Sequence, residues 1–156
     1  MKIYLICVLL LICGFNVNAQ SVTVKDLISL ISMDYESSKT YLTQSKGFNA
    51  LPVLDAKGTS IEQFNKHDNP GVTELIVKSQ WVDDQRVVHK YIHYDVRPQS
   101  YALTIIEQLK TDSFSLKSKK ADKNKSVWLF ENQKYTISIY TFSEAKFPAA
   151  IEIHVK

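Results

Sequence analysis

The sequence predicts an α+β fold, with an N-terminal helix or helix pair and a second, central helix packed on one face of an antiparallel β-sheet. Two stretches carry apolar residues at helical spacing, and each is followed by segments in which apolar and polar residues alternate. Polar turn residues separate these segments, which favours hairpins. Helices followed by groups of strands are typical of an α+β layer, so we expect the other sheet face to be exposed or used for binding.

The first 19 residues are predicted to be a signal peptide. Lys2 precedes an apolar run over residues 3–15, and the small residues at 17–19 form a cleavage site, so the mature chain would begin at Gln20. The run is too short for a membrane-spanning helix. Cys13 lies in this run, but the residue before it is Ile12 rather than a small residue, which argues against bacterial lipidation. We therefore expect an exported protein, periplasmic or extracellular, without a transmembrane segment after signal removal.

Removal of the first 19 of the 156 residues leaves 137, the length of one domain spanning 20–156. Both cysteines, Cys7 and Cys13, lie in the predicted signal, so the mature chain has no disulfide, thiol nucleophile or cysteine-bound metal. This composition suits a bacterial periplasm or surface. Without Lys2 the formal charge falls from +3 to +2, which gives no global electrostatic argument for nucleic-acid binding.

The first helical stretch runs from about residue 24 to residue 46. Thr23 is a good N-cap, and Asp26 stands three residues later, where a carboxylate favours the first turn. Lys46 and Gly47 form a stop signal. Because Ser32 or Asp34 could cap a second helix, the stretch is predicted to be either one helix or two, near 24–31 and 34–46.

Strand signals follow this helical stretch. Residues 48–54 contain Pro52 and are predicted to be an edge strand or extended loop, and residues 60–66 a strand. Residues 72–81 and 86–96 are predicted to form a hairpin around a polar turn at 83–85. The alternation predicts two sets of buried side chains, Leu75, Val77 and Trp81 in the first strand and Val88, Ile92, Tyr94 and Val96 in the second. The exposed sets are predicted to be Glu74, Lys78 and Gln80, and then Val87, His89, Tyr91, His93 and Asp95.

Pro98 ends this hairpin and starts a second cycle. Residues 100–110 are predicted to be a helix with Ser100 as a candidate cap, and 114–117 a short strand. Residues 117–125, with five lysines, are predicted to form a solvated loop. Residues 126–131, 135–142 and 150–155 alternate as strands. The two halves, 22–98 and 99–156, therefore suggest tandem units of one helix and three or four strands.

The pattern His89-x-Tyr91-x-His93 resembles a metal site, but its spacing on a strand excludes a shared zinc. Positions four apart on a strand are separated by roughly 13 Å, whereas zinc–nitrogen bonds are about 2.0 Å long. No metal site and no cofactor are therefore predicted. The remaining interpretations are a wet sheet face, or an exposed His, Tyr and Trp surface that contacts a partner.

Catalytic motifs are weak in this sequence. Ser143 and Lys146 match the S-x-x-K of penicillin-recognising enzymes, but the companion S-D-N and K-T-G motifs do not occur. Asp83 and Asp84 lie at the predicted hairpin tip, where their carboxylates should be solvated without a cause to shift their pKa values. No catalytic residue is predicted, and we expect that the protein is not an enzyme.

A binding role remains by elimination. We expect a non-catalytic interaction protein of the bacterial cell envelope that holds a protein partner through Trp81, His89, Tyr91, His93 and Tyr140. Nucleic acid is not expected as a partner, because the lysine run lacks arginine and interleaved aromatic residues. The alternatives are a small envelope enzyme acting on cell-wall or glycan substrates, a periplasmic inhibitor or immunity protein, and a structural accessory of the envelope. The outline is similar to the β-lactamase inhibitor proteins, as a fold-level analogy without a shared motif.

Overall fold

A computed structural model describes residues 22–56, 58–68 and 71–156. Within these ranges the protein is an α+β structure with three helices and a nine-stranded antiparallel sheet, and strands dominate. The predicted signal peptide and its cleavage site before Gln20 lie outside the described residues. None of the helices in the described part of the chain combines the length and apolar composition needed to cross a bilayer.

The first helical stretch is two helices. Helix α1 spans Val24–Ser32, and helix α2 spans Tyr35–Thr40 and continues as a π-helical turn over Tyr41–Ser45. Thr23 and Asp26 form a reciprocal capping box at α1, with the Thr23 N–H donating to Asp26 Oδ2 at 2.8 Å. Asp34 caps α2 by accepting from the Ser37 N–H at 2.7 Å. Two independent caps in close succession explain why the chain bends between the helices.

Nine strands and one further helix follow in the described ranges. The strands are β1 Asn49–Ala50, β2 Leu54–Ala56, β3 Thr59–Asp68, β4 Val72–Val82, β5 Val88–Arg97, β6 Ser115–Ala121, β7 Lys125–Glu131, β8 Tyr135–Phe142 and β9 Ala149–Val155. Helix α3 spans Ser100–Thr111 between β5 and β6. Gln99 occupies the N-cap position of α3 and its side chain makes no capping hydrogen bond, so Ser100 is the first helical residue and not the cap.

The strand order in the sheet is β1-β3-β4-β5-β9-β8-β7-β6, and β2 also pairs with β3. The predicted hairpin is β4 and β5, and it aligns Ile76 with Tyr94 and Trp81 with His89. The centre of the sheet is the antiparallel pair β5 and β9, in which Ile92 lies opposite Ile153. Segments far apart in the chain therefore meet at the middle of the sheet.

One core cluster joins the helices to alternate strand residues. Its fully buried members from the strands include Phe64, Ile76, Ile92, Tyr94, Phe130, Ile137, Ile139, Ile151 and Ile153, and those from the helices include Leu27, Leu30, Leu42, Ala102, Ile105 and Leu109. Helices α1 and α3 contact each other and both contact β5. Since strand side chains alternate between faces, the residues between these core positions form a second face, which is half-exposed.

The predicted orientation of β4 is wrong. Glu74, Ile76 and Lys78 are buried in the core layer, whereas Leu75, Val77 and Trp81 lie on the half-exposed face. The register explains this inversion, because Ile76 lies opposite Tyr94 and directly opposed residues of an antiparallel pair project to the same face. The prediction for β5 is confirmed for Ile92, Tyr94 and Val96, which are all buried. Val88 is exposed at the strand end, and Val87 precedes the strand.

Lys78 is buried in an ion pair. Its Nζ lies 3.1 Å from Glu62 Oε2, and the two side chains are only 7% and 12% exposed. The same ammonium group donates to Ser38 Oγ at 3.2 Å and to the main-chain carbonyl of Met33, which lies at the junction of α1 and α2. The ammonium group of Lys78 therefore connects the sheet to the junction of α1 and α2.

The lysine-rich run is partly a strand and not a solvated loop. Residues 115–121 form β6 at the edge of the sheet, paired with β7, with a register shift between Leu116 and Ser118. Lys119 lies over the ring of Trp128, with its Nζ 4.0 Å from the ring centroid. Charged side chains on an edge strand disfavour pairing with another sheet, which accounts for a strand of this composition.

Candidate functional site on the histidine face

All five predicted binding residues lie on the half-exposed sheet face. Trp81 lies opposite His89, Tyr91 opposite His154, and His93 opposite Glu152, while Tyr140 shares a row with Ala150 and Asp95. Opposed residues of antiparallel strands project to the same side of the sheet. We call the surface formed by Trp81, His89, Tyr91, His93, Asp95, Tyr140, Glu152 and His154 the histidine face.

His93 is the centre of a hydrogen-bonded cluster on this face. Its Nε2 lies 3.0 Å from Asp95 Oδ1, and its Nδ1 lies 3.7 Å from Glu152 Oε1. The Tyr91 hydroxyl is 3.2 Å from His93 Nδ1, and the Tyr140 hydroxyl donates to Glu152 Oε2 at 3.1 Å. The three ionisable side chains are between 27% and 30% exposed, so the cluster is in partial contact with water. Strands β5, β8 and β9 together hold these groups in place.

The two carboxylates change the ionisation of this cluster. The hydrogen bond to Asp95 raises the pKa of His93 above its ordinary value of 6.5, burial opposes this shift, and the charges of Asp95 and Glu152 reinforce it. Burial, together with the charge of Glu152, raises the pKa of both Tyr91 and Tyr140. Both tyrosine hydroxyls therefore keep their protons at neutral pH.

Trp81 and His89 form a second group at the end of the hairpin. Their rings stack with centroids 5.2 Å apart and an angle of 15° between the planes. His89 Nε2 lies 2.7 Å from Asp83 Oδ2, and Asp83 Oδ1 accepts from the N–H groups of Gln85 and Val87 at 2.9 Å each. The hydrogen bond from His89 lowers the pKa of Asp83, so the expectation of an unperturbed turn carboxylate is wrong. The aromatic pair is fixed by the loop beside it.

The hairpin tip also carries apolar surface that the sequence argument missed. Val82, Val87 and Val88 are 55%, 48% and 49% exposed and surround the polar turn. Arg86 has a positive φ of 62° in this turn. The signal in the sequence was the pair Val87-Val88 directly after the turn, where the alternation argument placed Val88 in the core. Val82 lies opposite Val88, so these two valines project to the sheet face opposite Trp81 and His89 and do not extend the histidine face.

The histidine face also includes residues that were not among the five predicted. Glu152 and His154 project from β9, and the rings of Tyr91 and His154 lie 4.6 Å apart. The alternation of residues 150–155 indicated that both side chains point away from the core, but not that β9 is the neighbour of β5. Among the described residues there is no group of three or more His, Cys, Asp or Glu side chains arranged to hold a metal ion.

The S-x-x-K segment lies in a surface connection between two strands. Ser143 and Lys146 are both exposed in the connection between β8 and β9, outside any helix. Lys146 Nζ pairs with Glu144 Oε2 at 2.7 Å, so its ammonium group is committed to a surface carboxylate.

Comparison of the chain with protein-family models, curated proteins and solved structures finds no match.

Proposed function

We propose that this chain is a non-catalytic binding protein of the bacterial cell envelope, exported through its N-terminal segment, and that the histidine face holds a protein partner. The observation that carries the proposal is the half-exposed cluster of His93, Asp95, Glu152, Tyr91 and Tyr140 on three adjacent strands. Tyrosine and tryptophan are enriched in the cores of protein interfaces.

The arrangement of the cluster favours binding, because its side chains are ordered before a partner arrives. Tyr91 and Tyr140 are held by hydrogen bonds to His93 and Glu152, and Trp81 is held by stacking on His89. Side chains that are already fixed lose less conformational entropy on association, so more of the contact energy contributes to affinity. Tyrosine and tryptophan are also the residues that most often dominate binding energy.

In this proposal the two faces of the sheet have different roles, one packed against the helices and the other available to a partner. We infer that α1, α2 and α3 pack on the face opposite the histidine face, since their apolar residues share one cluster with alternate residues of the strands. We also infer that 22–98 and 99–156 are tandem units. Each has helix first and strands after, and β5 and β9, the last strand of each unit, pair at the centre.

The test is partner capture with a variant of the histidine face. Trp81, Tyr91, His93 and Tyr140 are replaced together by serine in the mature chain, and circular dichroism and thermal unfolding establish that the variant is folded. The matched control is Leu103→Ser with Leu116→Ser, which removes apolar surface that is 52% and 45% exposed elsewhere on the molecule.

The fourfold variant, the control and the wild type are each immobilised and exposed to an envelope extract. The partner protein that is retained from the extract is then purified, and its affinity for each of the three is measured. We expect the wild type and the control to bind it alike. The fourfold variant should bind about a hundredfold more weakly or worse, since dominant interface residues each contribute roughly 2 kcal/mol. Equal affinity for all three proteins would contradict a role for the histidine face.

A further inference from the structure

A basic groove lies at one end of the C-terminal strands, and its residues differ in type from those of the histidine face. Residues from the α3–β6 connection, the β7–β8 turn and the end of β9 surround an open volume of about 690 Å³. Its lining includes Lys117, Lys134 and Lys156, together with Ser113, Ser115 and Asn132. The volume falls within the range of small-molecule and saccharide pockets, roughly 300–1,000 Å³.

The groove contains one acidic side chain among its described residues, and this group is already neutralised. Glu131 Oε2 pairs with Lys156 Nζ at 2.8 Å, and the ammonium groups of Lys156 and Lys117 both lower the pKa of the Glu131 carboxyl. Within the described ranges, Lys117 and Lys134 make no ion pair. Lys117 stands at the register shift of β6, between Leu116 and Ser118. Two cations are therefore left to meet an external anion.

The positive charge continues along the edge of the sheet beyond the groove. Residues 110–134 contain seven lysines against Asp112, Asp122 and Glu131, a net charge of +4, whereas the whole chain carries +3. The remainder of the chain is therefore slightly acidic, and the basic groups are concentrated on one segment. Basic groups spread along one segment of the chain attract an extended polyanion as well as a single anion.

The neutral polar residues of the groove indicate which polyanion fits. Serine hydroxyls and the Asn132 amide can hydrogen-bond sugar hydroxyls, and the Asn132 side chain is oriented by accepting from the N–H groups of Lys134 and Tyr135 at 2.8 Å each. The described residues that line the groove include lysine and no arginine, so it recognises charge without bidentate geometry. Single-stranded nucleic acid would need a free aromatic platform, but Trp128 is covered by Lys119.

We propose that this groove, with the adjoining edge strand β6, binds an acidic polysaccharide, with Lys117 and Lys134 contacting the carboxylates of the sugar chain. Ser113, Ser115 and Asn132 of the same lining contact the hydroxyl groups. The concave shape suits a chain better than a flat membrane surface. None of the residues that line the groove belongs to the histidine face, although Lys156 follows His154 of that face by two positions.

The probe is sodium polygalacturonate, a linear uronate polymer, with neutral dextran as the uncharged comparison. Binding is measured by tryptophan fluorescence, because Trp128 lies beneath Lys119, and by calorimetry. The groove variant is Lys117→Gln with Lys134→Gln. The matched control is Lys25→Gln with Lys146→Gln, which removes the same charge from exposed positions outside the groove.

We expect the wild type to bind polygalacturonate but not dextran, with an affinity that falls as salt is added. The groove variant should bind about tenfold more weakly, since two exposed ionic contacts are lost, and the control should bind as the wild type does. Absence of binding by the wild type, or equal weakening in both variants, overturns the proposal. Tighter binding of oligodeoxythymidylate or of anionic phospholipid vesicles than of polygalacturonate overturns the choice of a polysaccharide.

Discussion

Replacement of Lys78 by methionine should strongly destabilise the protein, although Lys78 lies in the middle of a strand whose composition is half polar. Methionine is close to lysine in length, so the substitution removes the charge without leaving a large cavity. The ammonium group lies 3.1 Å from Glu62 Oε2 and donates to Ser38 Oγ and the Met33 carbonyl. The variant therefore leaves a buried carboxylate and a carbonyl at the helix junction without their donor.

The expected loss follows from the burial of both partners. The side chains of Lys78 and Glu62 are 7% and 12% exposed, so water screens the pair weakly. Removal of one member of a buried ion pair costs about 3–5 kcal/mol, because the remaining charge is uncompensated. The introduced methionine side chain adds apolar burial, so we expect a loss of about 3 kcal/mol, the lower end of that range. This corresponds to a folding equilibrium roughly a hundredfold less favourable.

The assay is urea-induced unfolding monitored by circular dichroism, with three variants beside the wild type. Lys146→Met removes an exposed partner of Glu144 and should cost less than about 0.5 kcal/mol. The double variant Lys78→Met with Glu62→Leu removes both buried charges and should recover most of the loss, since well-packed apolar residues can replace a buried pair. A Lys78→Met protein as stable as Lys146→Met would refute the reasoning.

Three further predictions concern ionisation, capping and backbone conformation. His93 has a raised pKa in the folded state, so its contribution to stability is fully present below its unfolded pKa of 6.5 and is lost as pH rises through the folded value. His93→Gln should therefore cost more stability at about pH 5.5 than at about pH 8 in urea titrations, and an equal cost at both would contradict the assignment. Asp26→Asn should cost about 2 kcal/mol in thermal unfolding, because Asp26 closes the capping box and also accepts from Tyr41 and from Lys46 at 2.9 Å. Gly47→Ala and Gly58→Ala should each cost about 1–2 kcal/mol, because both glycines have positive φ, 74° and 79°, and neither added Cβ meets an atom closer than 3.8 Å. A clearly larger cost at Gly47 would indicate crowding by Lys66.

Most of the elements were predictable because their signals are local. The caps at Thr23 and Asp34, the stop at Gly47 and the alternation of residues 135–142 depend only on neighbouring residues. The pairing of β5 with β9 depends on residues about sixty positions apart, and alternation does not specify which strands are neighbours. The sequence therefore predicted His93 as exposed but not its contact with Glu152.

The inverted face of β4 has a different cause. Alternation within each strand, taken separately, places both Leu75 and Tyr94 in the core. In the hairpin, Leu75 lies opposite Asp95 and Tyr94 lies opposite Ile76, so Leu75 and Tyr94 cannot share a face. The buried polar residues Glu74 and Lys78 gave β4 the wrong apparent polarity. Requiring both strands of a hairpin to present one common face would have exposed the conflict.

The lysine run shows how charge can conceal a strand. Residues 117–121 have no apolar period, yet they pair with β7 because an edge strand needs only one hydrogen-bonded neighbour. Leu116 lies opposite Phe130 and Lys119 opposite Trp128, so the lysine stem covers an aromatic ring where an apolar residue would usually stand.

The position of β9 has a consequence for the order in which the molecule can be completed. Residues 149–155 are the last strand of the described chain, yet they pair with β5 on one side and β8 on the other. Until this segment is available, β5 and β8 each present an unpaired edge, and the positions of Ile151 and Ile153 in the core are empty. During ribosomal synthesis, the two halves of the sheet can therefore be joined only after residues 149–155 have been made.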